Sequence, residues 1–205
     1  MLTTDEMTGI QALERSAPTK PMQPGQVERR EFEYERHGTL SLITNFDVVS
    51  GQVVSPSLGP TRTEVDFAVH IGRTIDLDRE GVWLFLVDQL NTHQSETLVR
   101  LVAERCGLAA ELGEKGKSGV LRSMATRAAF LSDVTHRIQF VYLPKQTSWL
   151  NQVEMWFGIL VRRVLKRGNF PSREALHARI LEFIEYFNKT AKPFRWTYTG
   201  RPLVS

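Results

Sequence analysis

Between Thr147 and Gly168 apolar residues return at helical spacing. On a wheel of about 3.6 residues per turn, Trp149, Val153, Trp156, Phe157, Leu160 and Val164 gather on one broad face. Asn151, Glu154, Gly158 and Arg162 fall on the opposite face, and Ser148 stands where a hydroxyl can cap the first turn. The pattern predicts a helix anchored by its apolar side, with Glu154 facing away from the core. By itself Glu154 reads first as a solvated acid on an ordinary core helix. A carboxylate held this firmly is also suited to gripping a metal ion.

A different pattern marks Val82–Asp88, where an unbroken run of bulky apolar residues ends in an acid. Gly81 precedes it and Asn91–Thr92 follow, so it predicts a central strand buried on both faces. Asp88 then sits at the strand's carboxyl end, where open α/β sheets place their ligands, or serves as a turn residue. Upstream, Met1–Met7 predicts a short strand, with a turn at Thr8–Gly9 and a second strand through Ile10–Leu13. Residues 16–36, rich in Pro, Gly, Gln and mixed charge, predict a long, mostly extended, solvated excursion. Thr39–Asp47 and Gln52–Ser55 predict a hairpin around Ser50–Gly51, with Asp47 beside the turn.

A helix is expected over Thr63–Asp76, with Val65, Phe67, Ala68, Ile71 and Ile75 inward, and another from about Ser95 to Cys106. His93 reads as a loop or capping histidine. Residues 107–133 contain GEKGKSG, a flexible basic loop, and then a helix over Val120–Leu131. That loop lacks the GxxxxGK[ST] spacing of a nucleotide-binding P-loop. Ile138–Leu143 predicts the final core strand, and residues 172–188 the last helix, with Leu176, Ile180, Phe183, Ile184 and Phe187 inward. Phe194, Trp196 and Tyr198 close the core or offer a stacking surface for bases. The order of elements gives a mixed α/β sheet flanked by helices.

VDQLNTH at 87–93, LPKQTSWLNQVEMWF at 143–157, LVRRVLKRGNF at 160–170 and KPFRWTYTGRPL at 192–203 resemble the insertion-sequence transposases of the mariner superfamily. TDEMTGIQALERS at 4–16, PMQPGQVERREFEYERHGT at 21–39 and FDVVSG at 46–51 extend the resemblance, in the family's order, over nearly the whole chain. It implies an RNase H-like catalytic domain carrying an Asp, Asp, Glu triad: Asp5, Asp88 and Glu154. Asn91 and His93, in the NTH signature, and Asn151 would support that site. Residues 107–133 would be an insertion before the last core strand. The family's helix-turn-helix DNA-binding region is not found upstream of Asp5, which lies four residues from the start. A truncated, inactive remnant that binds DNA or regulates an intact transposase is therefore an alternative, as is a plain nuclease.

Three converging carboxylates repel one another unless a cation joins them. Oxygen ligands alone select Mg²⁺ or Mn²⁺, and a pair of such ions suits in-line displacement at a phosphodiester. The implied activity is cleavage at transposon ends and strand transfer into target DNA. Its partners would be double-stranded DNA and a second copy of the chain.

Charge refines this picture only locally. The net charge is +3 with a pI near 9.2, yet five basic residues and no acid lie between Val161 and Arg173. Arg162, Arg163, Lys166 and Arg167 extend from the Glu154 helix and are candidate phosphate contacts, as are Lys115 and Lys117. The four are otherwise a solvated helix end favoured by the macrodipole. The single cysteine, Cys106, excludes an internal disulfide and a cysteine-rich zinc site, and fits a reduced cytoplasmic setting (bacterial, on the nucleoid when bound to DNA). No signal-peptide pattern opens the chain, and the longest apolar run, Val82–Val87, is far too short to span a membrane.

Overall fold

The computed structural model describes residues 1–108, 111–144, 147 and 150–195. Five strands form one mixed sheet: β1 (Leu2–Arg15), β2 (Tyr34–Asp47), β3 (Val53–Gly59), β4 (Trp83–Val87) and β5 (Ile138–Tyr142), in the order β3-β2-β1-β4-β5. β1–β2 and β2–β3 are antiparallel, whereas β1–β4 and β4–β5 are parallel. Helices α1 (Glu64–Ile75), α2 (Glu96–Arg105) and α3 (Met124–Leu131) cover one face. Helices α4 (Gln152–Leu160) and α5 (Arg173–Lys189) cover the other. Among the described residues no helix is long and apolar enough to cross a membrane.

β1 is one continuous strand, where a turn and two strands were expected. Between Met7 and Ile10 it advances three residues while β2 passes from Leu42 to Leu40, so one extra residue is accommodated at a bulge. Gly9, at φ +64°, supplies the left-handed backbone that a bulge or a turn equally requires. The bulge has a packing consequence. Met7 faces α4 and α5 from an odd position, while Ile10 and Ala12 do so from even ones. Without the extra residue those two would point to the opposite face. Beyond β1, residues 16–33 form an extended arm bridged at Lys20–Arg29 and Gln23–Gln26, and β2 begins at Tyr34 rather than Thr39.

β4 is not buried on both faces. Phe85 and Val87 are fully enclosed against α1, α2 and α3, but Trp83, Leu84 and Leu86 are half-buried and Val82 is exposed. For Leu84 and Leu86 the reason is coverage: α4 and α5 pack chiefly on β1, β2 and β3, which leaves that side of β4 and β5 comparatively open, whereas Trp83 shares the covered face with Phe85 at the strand's start. Val65 of α1 also lies outward, although Phe67, Ala68, Ile71 and Ile75 are buried as expected. Thr63 caps α1 in a reciprocal capping box with Asp66.

The expected helix over 120–131 is divided. Val120–Arg122 form a single 3₁₀ turn, and Ser123 then caps α3. The GEKGKSG loop is pinned rather than loose, with Leu121 N–H bonded to Leu112 and Gly116 N–H to Leu121. From α3 the buried Arg127 donates through Nε to the Gln94 carbonyl at 2.6 Å and through a terminal nitrogen to that of Leu121 at 3.2 Å. α3 thereby braces the loop that follows Asp88.

The chain beyond α5 closes over the β2–β3 turn. Phe194 stacks on Phe46 with ring centroids 4.7 Å apart, so its role is in the core. The backbone at Lys192–Pro193 passes where a side chain on Gly51 would stand. Ser148, Trp149, Trp196 and Tyr198 lie outside the described residues.

Candidate active site

The parallel register of β1 and β4 pairs Leu2 with Phe85 and Thr3 with Leu86. Carried forward, it sets Asp5 level with Asp88. Asp88 therefore stands just past the carboxyl end of β4, the position at which such sheets collect ligands, and Asp5 lies beside it in the first half of the longer β1. Glu154 comes from the first turn of α4, exposed on the side away from Val153, Trp156 and Phe157.

α4 starts later than its apolar pattern predicts and is capped from a distance. Asn151 occupies the N-cap position without making a capping bond. Instead Thr3 Oγ1, on β1, accepts the Val153 N–H at 3.1 Å, satisfying one of the unpaired amides of the first turn. Asn151 was expected on the outer face and is in fact fully buried. Its Nδ2 donates to Asp5 Oδ2 at 3.1 Å and to the Thr4 carbonyl at 3.3 Å. The helix thus docks directly on the strand that carries Asp5. After Leu160 the helix widens into a π turn, Val161–Leu165, with Lys166 N–H reaching back to the Val161 carbonyl.

The three carboxylates are electrostatically linked. Burial pushes Asp5 up to about 8, against the pull of the Glu6 N–H, and the charges of Asp88, Glu6 and Glu154 raise it further. Partial burial lifts Glu154 too; its contact with Asp5 works the other way, and Asp88 adds repulsion. Asp88 is held below the usual carboxylate range, first by its hydrogen bond from His93 and then, against its own burial, by the Leu90 N–H and the His93 charge. Two carboxyl groups that resist ionisation beside one that is ionised lack a positive partner. Hard, oxygen-only donors of this kind fit a divalent cation such as Mg²⁺ or Mn²⁺.

His93 is not an ordinary loop residue. It lies in a 3₁₀ turn, Asn91–Gln94, fully buried against the Phe67 ring at a centroid distance of 4.3 Å. Its Nδ1 is 2.7 Å from Asp88 Oδ1 and its Nε2 is 3.1 Å from Glu6 Oε2. Burial alone would lower its pKa, but the bonds and charges of Asp88 and Glu6 raise it to about 10, leaving an imidazolium that donates from both nitrogens. Sequence reasoning missed Glu6. Its adjacency to Asp5 was visible, but alternation along a strand sends the two side chains to opposite faces, so no role was assigned.

Asn91 is exposed at the start of the same turn. Asp47, beside the β2–β3 turn, accepts from Val49 N–H, Ser50 N–H and Ser50 Oγ, which is a structural role. Arg162, Arg163, Lys166 and Arg167 are all exposed, and none forms an ion pair among the described residues. Lys117 pairs with Glu114 at 2.6 Å, and Lys115 lies 3.8 Å from Glu64 and 3.9 Å from Glu96.

A family model described as "DDE superfamily endonuclease" matches residues 1–177. A search of curated protein sequences found no match. Among solved structures, the chain is similar to the Mos1 strand transfer complex, at 16% identity and a TM-score of 0.50 over 90% of this chain and 46% of that one. It is also similar to the Mos1 transposase paired-end complex with the left transposon end, at 14% identity and a TM-score of 0.47 over 94% and 48%. The chain spans about half the length of these neighbours. The first likeness shows the shared fold, the RNase H-like mixed sheet flanked by helices.

Proposed function

Because this chain belongs to the DDE superfamily of endonucleases, we propose that Asp5, Asp88 and Glu154 hold two divalent cations, Mg²⁺ or Mn²⁺, for cleavage and joining of DNA phosphodiesters. The substrates in this reading are the ends of a transposon and the target duplex, as in a transposase of the mariner type. The observation that carries it is the convergence of three acids from β1, β4 and α4, two of them raised and one depressed in pKa.

When bound, divalent ions lend Lewis acidity to the attacking and leaving oxygens of an in-line displacement. The chain's own groups do the remaining work. Asp88, tied to His93 and to the Leu90 N–H through one oxygen, presents the other in a fixed direction. Asp5 is held between the Glu6 N–H at 2.8 Å and Asn151 Nδ2. Glu154, on the first turn of α4, is the most exposed of the three carboxylates. Arg162, Arg163, Lys166 and Arg167 follow it along the same segment and grip phosphates without reading sequence. Water as the nucleophile yields strand cleavage, and a DNA 3′-hydroxyl yields strand transfer. Two copies would pair two DNA ends; a strand transfer complex is the state in which one structural neighbour was solved.

The test is Mg²⁺- or Mn²⁺-dependent nicking of supercoiled plasmid, together with joining of a pre-cut transposon end, by the intact chain and by Asp88→Asn. Metal-dependent nicking and joining that vanish in the variant support the reading. A folded chain that neither binds Mn²⁺ nor nicks would refute it.

A further inference from the structure

We propose that Glu6 is a positioning residue, which orients Asp88 for metal through His93, whose ring hydrogen-bonds Glu6 on one side and pairs with the Asp88 carboxylate on the other. The inference rests on the reading of Asp5, Asp88 and Glu154 as metal ligands, and extends it to a residue on the far face of β1. Glu6 occupies an unusual position. Its backbone N–H donates to Asp5 Oδ1, while its carboxylate, only 1% exposed, accepts from His93 Nε2. The other carboxylate oxygen accepts from Thr92 Oγ1 at 3.4 Å. One residue is therefore bonded to Asp5 directly and to Asp88 through the imidazole.

Distance alone would permit another reading, since Asp5, Glu6 and His93 offer ligand atoms within 4.8 Å of one another. The bonding speaks against it. Both His93 nitrogens are already engaged, Nε2 by the Glu6 carboxylate and Nδ1 by the Asp88 carbonyl at 3.3 Å and its carboxylate at 2.7 Å, and the ring is enclosed by Phe67. Tyr142 Oη also donates to the His93 carbonyl at 2.9 Å, which fixes the turn itself. The Leu90 N–H bonds Asp88 Oδ1 and the His93 ring nitrogen lies 2.7 Å from the same oxygen, so the direction of Oδ2 is set by groups on the protein. Partners of this kind, one step behind a ligand, typically alter metal affinity about 10–100-fold when removed.

Charge and geometry make opposite forecasts for Glu6. Glu6→Gln removes the charge but keeps a carbonyl that accepts from His93 Nε2. Glu6→Asp keeps the charge but withdraws the acceptor by one methylene. The experiment measures Mn²⁺ binding by electron paramagnetic resonance for the wild type, both Glu6 variants, Glu6→Leu and Asp88→Asn, with thermal unfolding of each. The inference expects Glu6→Gln to bind Mn²⁺ like the wild type, and Glu6→Asp and Glu6→Leu to bind roughly 10–100-fold more weakly while folded. Wild-type affinity in folded Glu6→Asp, or loss in Glu6→Gln with retention in Glu6→Asp, would overturn it. The Asp88→Asn arm separates the two levels: if it binds Mn²⁺ like the wild type, the metal reading itself has failed.

Discussion

Asn151 Nδ2 lies 3.1 Å from Asp5 Oδ2, across 146 residues of sequence, and so joins the entry of α4 to the middle of the sheet. This bond sets the height at which α4 crosses β1, and with it the place of Glu154 one turn later. Asn151→Ala should reduce plasmid nicking by roughly 10–100-fold, because Asp5 loses the donor that orients it. The Thr4 carbonyl also loses its side-chain donor, so unfolding stability should fall by about 1–3 kcal/mol. Nicking rates and urea melts together check this. An unchanged rate in a destabilised variant would confine Asn151 to a structural role.

Asp5 is buried and surrounded by Asp88, Glu6 and Glu154, so in the absence of metal it stands where a carboxylate is least welcome. Asp5→Asn removes the charge and keeps one accepting oxygen for Asn151, at the loss of the acceptor for the Glu6 N–H, a smaller cost than the buried charge. The metal-free variant should be more stable than the metal-free wild type at neutral pH, on the order of a few kcal/mol, while nicking is lost. Mn²⁺ should raise the melting temperature of the wild type and leave that of the variant nearly unchanged. Calorimetry with and without the metal measures both effects, and a variant less stable than the wild type would contradict the account.

His70 gives a pH dependence of known sign. It is fully buried on α1, with Nδ1 2.9 Å from Ser57 Oγ and Nε2 without a partner among the described residues, and burial, aided by Arg73, lowers its pKa from 6.5 to about 3. The unfolded chain therefore binds a proton in a range where the folded chain does not. His70 contributes stability above pH 6.5 that is lost progressively as pH falls towards 3, by an amount on the order of a few kcal/mol. His93 shifts the opposite way and stays protonated throughout this window. Denaturant unfolding at several pH values should show a shallower acid slope in His70→Leu. Parallel slopes for the two proteins would exclude His70 as the source.

Arg127 braces the turn that follows Asp88 from a separate helix. Its guanidinium holds the Gln94 carbonyl at the end of the turn that carries His93. Arg127→Ala should cost about 2–3 kcal/mol, since two buried carbonyls lose a charged donor. Amide hydrogen exchange should quicken first in residues 90–95. Uniform acceleration across the sheet instead would mean that the arginine supports the whole domain and not the loop.

The legible parts of the candidate site were those whose cause is local. Asp88 ends an apolar run, and Glu154 stands opposite a helical stripe, so both were visible from residue pattern, although only the mariner resemblance joined them to Asp5. Three features depended on contacts between distant segments. Thr3 caps α4 from β1, where sequence pattern pointed to Ser148. Gly9 supports a bulge rather than a turn, because both conformations need the same positive φ, and only pairing with β2 distinguishes them. Glu6 drew no assignment from the sequence, because its bond to His93 exists only once the Asn91–Gln94 turn packs against β1.

The cationic segment after α4 yields a prediction in which salt is the variable. Arg162, Arg163, Lys166 and Arg167 are exposed and without ion pairs among the described residues. The π turn at Val161–Leu165 keeps Val164 buried while the basic residues around it remain in solvent. A phosphate contact releases condensed counterions, so each one lost should reduce the slope of log affinity against log salt by about 0.9. Arg163→Ala and Arg167→Ala together should therefore weaken duplex binding and lower that slope by roughly 1–2, irrespective of DNA sequence. Fluorescence anisotropy with a labelled duplex from low to moderate salt measures both quantities. Weaker binding with an unchanged slope would mean that the arginines shape the helix end rather than touch DNA. An effect confined to one sequence would mean that they read bases, which a segment of freely exposed cations has no evident means to do.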